Sequence, residues 1–113
     1  MTLEINDLKE LKNSSLESFE AKIAKADGRS DFNVAAAQLE SQLVQLYGFA
    51  ALTVRRMDDL DQIAGLWSTM VSICDEIAKK VILICEDQPQ CIATYDRILD
   101  IRNKCERLKL LHA

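Results

Sequence analysis

The sequence predicts an all-α protein, an antiparallel up-down four-helix bundle, on three observations. Glycine and proline are scarce, three and one in 113 residues, whereas an all-β chain needs turn residues every ~8–12 positions. Apolar residues recur at alternating steps of three and four along most of the chain, the spacing of one face of an α-helix. The breaks between these runs are short, so successive helices must fold back on one another. At 113 residues the chain is expected to form one helical-bundle domain, residues 1–113, large enough for a real core.

The first run carries Leu3, Leu8, Leu11, Leu16, Phe19 and Ile23 on a loose stripe. Ser14 and Glu17 in "SSLE" have the spacing of a capping box, so this run is either a short helix followed by a longer one or one helix with a bend. Asp27-Gly28 supplies the stop, because glycine can take the left-handed conformation common just past a helix end. Ser30 or Asp31 then caps the next helix through a side-chain oxygen.

From Phe32 the pattern runs through Ala36, Leu39, Leu43, Leu46, Ala50, Thr53, Met57 and Leu60. It continues through Ala64, Trp67, Val71, Cys74, Ala78, Val81 and Cys85. Taken literally this is one helix over 31–86, ~80 Å long and packed with flanking helices. The favoured reading breaks it in "RRMDD", near 57–59. Arg55-Arg56 would close one helix and Asp58-Asp59 would open the next, each pair complementing a helix dipole. A second seam also starts there: Leu60, Ile63, Trp67, Met70, Cys74, Ile77, Val81 and Ile84. In "DQPQ", Asp87 is a cap, the proline sits in the first turn, and Gln90 reaches back. The final helix, about 88–111, sets Cys91, Thr94, Ile98, Ile101, Cys105 and Leu108 on one seam.

Composition narrows the function classes. A formal charge of −4 argues against a dedicated nucleic-acid binder, which carries a basic face. The basic residues Arg97, Arg102, Lys104, Arg107 and Lys109 alternate with Asp96, Asp100 and Glu106 and are expected to form exposed ion pairs. "MTLEINDLKELK" lacks the apolar core of a secretory signal. "LVQLYGFAALTV", 43–54, is too short for a bilayer, which needs ~18 apolar residues. A cytoplasmic protein is expected, with no membrane partner. Its four cysteines lack a C-x-x-C spacing and are expected to be reduced, buried thiols. With one histidine and no Glu-x-x-His, neither a metal set nor any other cofactor is implied. Asp58, Asp59, Asp61 and the pairs Asp75-Glu76 and Glu86-Asp87 are read as caps and solvated faces. Cys85 and Cys91, placed opposite one another by the 87–89 turn, are the candidates for a redox-sensitive disulfide.

The single histidine lies in the last stretch, "CERLKLLHA", where Arg107 and His112 frame four residues. In fold class, size and this spacing the chain resembles ribonucleases of the HEPN group. The resemblance implies a dimer that brings an arginine, a polar residue and a histidine together to cleave RNA, with Arg107 and His112 as catalytic candidates. The chain departs from that pattern: Leu108 stands where the polar residue should follow the arginine, and His112 is penultimate. Arg102-Asn103 has the polar neighbour but no histidine at a suitable distance.

The stronger signal is apolar excess. "LVQLYGFAALTV" and "VILIC" are apolar around nearly the whole helix, and such helices are buried on all sides. A bundle of this size leaves much helix surface outside, so a partner surface is expected across the second and third helices. Either that surface is covered, most simply by a second copy, or a well-packed core consumes it. Tyr47, Gly48, Phe49, Leu52, Trp67 and Met70 are the candidate partner-binding residues. The function so implied is non-catalytic: an oligomerising adaptor, or a regulatory, antitoxin-like or chaperone subunit, bound to itself or to another protein.

Overall fold

A computed structural model describes residues 5–85 and 89–111 and, among these, the side chains of all but Ile5, Arg29, Cys85, Pro89 and Gln90. Four helices follow in order: α1 (Ile5–Ala24), α2 (Arg29–Val54), α3 (Leu60–Cys85) and α4 (Pro89–Leu111). The described residues contain no strand. The all-α bundle predicted from periodicity is therefore present.

The continuous rod over 31–86 is not formed, since the longest dimension is 48 Å. The break has a local cause. After Val54 the amides of Arg56 and Met57 turn back to the carbonyls of Thr53 and Val54, tightening the last turn. Asp59 then caps α3, its Oδ1 accepting from the amides of Asp61 (2.9 Å) and Gln62 (3.3 Å). Asp59→Ala should lower stability by about 1 kcal/mol, within the ~0.5–2 kcal/mol usual for a lost N-cap. Asp59→Asn should restore most of it; circular-dichroism melts of the two variants check this.

The α1–α2 turn differs from expectation. α1 is one helix through "SSLE". Gly28 is extended rather than left-handed, with φ 178° and ψ −176°, and stands at the start of α2 instead of closing α1. Its carbonyl accepts from the amides of Asp31 and Phe32. No side chain caps α2 at that position; Asp31 sits inside the first turn, and its Oδ2 reaches back to the Asp27 amide at 2.9 Å. At the third turn α4 begins at Pro89, as a first-turn proline predicts. Asp87 lies outside the described residues, as does the Gln90 side chain.

Polar contacts fix how the helices are arranged. Lys22 meets Gln38, while Leu11 and Ser14 lie beside Gln45 and Phe49, so α1 and α2 are antiparallel. Lys12 meets Glu76 and Glu20 meets Lys80, so α1 and α3 run parallel. α3 and α4 share the largest interface, crossed by Arg102 and Asp75 at 3.2 Å. α2 and α4 are joined through Glu40 to Thr94 and Arg97. α2 and α3 touch least, and no described residue of α1 adjoins α4. The order around the bundle is thus α1, α2, α4, α3. The chain alternates direction, but the link from Arg55 to Asp59 crosses the diagonal.

The core is built from the predicted seams. Leu8, Leu16 and Phe19 of α1, and Leu39, Leu43, Leu46 and Ala50 of α2, are buried. So are Ile63, Trp67, Met70, Cys74, Ile77 and Val81 of α3, and Cys91, Thr94, Ile98 and Cys105 of α4. Leu60, which opens the predicted α3 seam, is left outside at 61 % exposure, and Leu11 is another exception. It is exposed, and Lys12 and Ser15 are buried in its stead; the Lys12 stem lies along the bundle and its ammonium reaches Glu76.

Candidate functional site

The candidate partner residues divide into two groups. Trp67 and Met70 belong to the core, at 2 % and 0 % exposure, and are not surface anchors. Tyr47 is half-buried, and its ring lies 5.7 Å from that of Trp67 at an angle of 42°. Phe49 and Leu52 are on the surface, at 50 % and 57 % exposure. Gly48 is half-buried, and a methyl group added there would meet nothing within 4 Å.

A second seam runs along the outside of α2, which sequence reasoning did not follow because it tracked only the inward one. Ser30, Val34, Ala37, Ser41, Val44, Gly48, Leu52 and Arg55 succeed one another at steps of three and four. All but the half-buried Gly48 are exposed, with Val44 at 57 %. Between Asp31 and Arg55 the only charged residue is Glu40, which turns away toward α4 and pairs with Arg97 at 2.9 Å. The outer face of α2 is therefore uncharged over about 36 Å, at 1.5 Å per residue. On one flank Leu11, Ser14, Gln42, Gln45 and Phe49 line a shallow groove of about 180 Å³ between α1 and α2.

On α3, "VILIC" is only partly consumed by the core. Val81 is fully buried, whereas Ile82 and Leu83 are exposed. The apolar excess thus has two outlets, and the α2 face is the longer.

The cysteines fall into two sets. Cys74 and Cys105 are free and fully buried, facing one another across the α3–α4 interface in a side-chain hydrogen bond. That hydrogen bond, then burial, then the nearby charges of Cys105 and Asp75 push the Cys74 thiol far above its ordinary range. The bond that Cys74 donates draws Cys105 down against the effect of burial. As buried thiols in an apolar core they pack as small hydrophobes. Cys91 is also buried but is disulfide-bonded, so the expectation of four reduced thiols does not hold. The side chain of Cys85 lies outside the described residues.

The catalytic pair suggested by spacing falls only in part on the described residues. Arg107 is exposed near the end of α4, and His112 lies outside them. The basic residues of α4 pair partly as expected and partly with other helices. Arg102 reaches Asp75 of α3 and lies 4.0 Å from Glu106, while Arg97 reaches Glu40 of α2. Arg97 and Arg102 thus tie α4 to α2 and α3, and Arg102 also pairs with Glu106 along α4.

Among the described residues no group of three or more His, Cys, Asp or Glu is placed to hold a metal ion, and no helix is long and apolar enough to cross a membrane. Compared with protein-family models, with curated proteins and with solved structures, the chain gives no match.

Proposed function

We propose that this chain is a non-catalytic protein–protein interaction module, an oligomerising adaptor or a regulatory subunit. It works by burying the outer face of α2 against another protein surface. One observation carries the reading: α2 exposes Val34, Val44, Phe49 and Leu52 along a helix face free of charge from Asp31 to Arg55. A solvated helix ordinarily carries charged and polar residues on its outer side. Exposed apolar side chains gathered on one uncharged helix face mark a site of association.

The chemistry expected of such a site is simple. Contact releases water from the aliphatic groups of Val34, Val44 and Leu52. The small residues Ala37, Ser41 and Gly48 let a partner backbone come close. Phe49 supplies the largest exposed ring, at the rim of the α1–α2 groove.

Val44→Glu tests this directly. Val44 is exposed, so the substitution should leave the melting curve within ~0.5 kcal/mol of the wild type. It should weaken association, with a second copy or with a protein captured from host extract, by at least tenfold, roughly the effect of placing an unpaired charge in a buried contact. Identical association by wild type and Val44→Glu, in light scattering and in capture, would sink the proposal.

A further inference from the structure

We infer that the occupant of the α2 face is a second copy of this chain, packed with its own α2 running antiparallel. The inference rests on reading that face as an interface and adds the partner and its orientation. The argument is self-complementarity, which a twofold contact requires and a foreign partner does not.

Charge is the first element. α2 has carboxylates at its beginning, Asp27 and Asp31, and two arginines just beyond its end, Arg55 and Arg56. All four are exposed, and among the described residues neither arginine enters an ion pair. An antiparallel copy sets each acidic end beside a basic end, twice in one dimer. A parallel copy sets like beside like.

Shape is the second element. A register centred near residues 42–44 places Val34 opposite Leu52 of the second copy, and Ser41 opposite its Gln45. In that register the small Ala37 and Gly48 of the two helices fall within one residue of facing each other. Gly48 lies mid-helix, where glycine costs ~1 kcal/mol relative to alanine, and among the described residues no atom lies within 4 Å of where its Cβ would be. A second helix approaching there gives that glycine a packing role which the isolated bundle does not. The seam from Ser30 to Arg55 keeps steps of three and four throughout, the pattern of one helix lying along another.

Charge exchange between two variants is the experiment. Asp31→Lys and the double variant Arg55→Glu/Arg56→Glu are purified separately, and their self-association is measured by sedimentation at low ionic strength beside the wild type. The wild type should dimerise, and each variant alone should associate roughly tenfold more weakly, because like charges then meet at both ends. An equimolar mixture should recover the wild-type affinity as a heterodimer. Recovery also shows that both chains are folded, although Asp31→Lys loses the bond to the Asp27 amide. Added salt should narrow the difference.

A wild type that stays monomeric at all concentrations overturns the second-copy inference. Val44-dependent capture of a host protein in that case would leave the interface reading intact. A dimer lost in Val44→Glu but not re-formed preferentially in the mixture overturns the antiparallel arrangement alone. A dimer indifferent to Val44→Glu and to all the charge changes overturns both readings.

Discussion

Trp67→Ala should destabilise the protein by about 3–5 kcal/mol, the usual range for removing a large aromatic side chain from a core. Domains of this kind are stable by only ~5–15 kcal/mol, so a markedly lower melting temperature is expected. Trp67 is 2 % exposed and belongs to the α3 seam, with Ile63 and Met70 one turn to either side and the Tyr47 ring of α2 at 5.7 Å. α2 and α3 are diagonal neighbours with little direct contact, so this aromatic pair is one of the few connections between them. Losing the indole opens a cavity that four crossing helices cannot close by a small shift. Trp67→Phe separates two contributions. The indole Nε1 is buried and has no hydrogen-bond partner among the described residues, and an unsatisfied buried donor costs ~1–3 kcal/mol. Phenylalanine keeps an aromatic ring and removes that donor, so Trp67→Phe should cost far less than Trp67→Ala. Urea unfolding followed by circular dichroism reads both variants. Equal losses in the two would show that ring packing is not what Trp67 supplies.

The inward seams were legible in the sequence because burial repeats at the helical period. Leu39, Leu43 and Leu46, and later Trp67, Met70, Cys74 and Ile77, can face one direction only if both segments are helical. The break between them was legible in charge: Asp59 had the right chemistry and position to open α3, and it does so. What periodicity could not supply is which helices adjoin. An apolar stripe states that a face is covered and not by what. The diagonal crossing from α2 to α3 therefore emerges only from pairs such as Lys12 with Glu76 and Glu40 with Arg97. Gly28 failed as a left-handed stop for a similar reason. The turn was solved by an extended residue and by Asp31 reaching back to Asp27, a tertiary outcome that a dipeptide signal does not encode.

At the candidate site the legibility was partial. The apolar excess of "LVQLYGFAALTV" was visible, but not which of its residues the core would take. Leu43, Leu46 and Ala50 went inward, and Val44, Phe49 and Leu52 were left outside. Trp67 and Met70 look like interface anchors by residue type, yet the α3 seam required them for its own packing. A better signal was present. Ser30 to Arg55 forms a second periodic row on the same helix, uncharged as far as Leu52, and the proposed interface rests on that row.

Glu40→Ala should cost about 1–3 kcal/mol, although it removes only one side chain from the edge of the core. Glu40 Oε1 accepts from the Thr94 hydroxyl at 2.7 Å, and both its oxygens accept from Arg97 Nη1 at 2.9 Å. Thr94 is 2 % exposed and sits on the buried seam of α4. Without the carboxylate its hydroxyl loses its side-chain acceptor in a place that water does not reach. Arg97 is largely exposed and finds water instead, so its half of the contact is worth little. The cost should therefore fall on Thr94, which a double-mutant cycle can establish. In the Glu40→Ala background, Thr94→Val should recover stability, because replacing both partners by apolar groups is close to neutral. Thr94→Val in the wild type should instead destabilise, by leaving the carboxylate with fewer donors. Glu40→Gln keeps an acceptor and should lie between the two. The measurement is the coupling energy from four urea unfolding curves, and additive losses would refute the assignment. The result bears on function as well as stability. Glu40 is the one charge on α2 between Asp31 and Arg55, and its commitment to α4 keeps the outer face uncharged. Freed from Thr94 and Arg97, a carboxylate at position 40 could swing toward the row formed by Ala37, Ser41 and Val44. Thr94→Val/Arg97→Ala should therefore weaken association through α2 without touching any residue of that face.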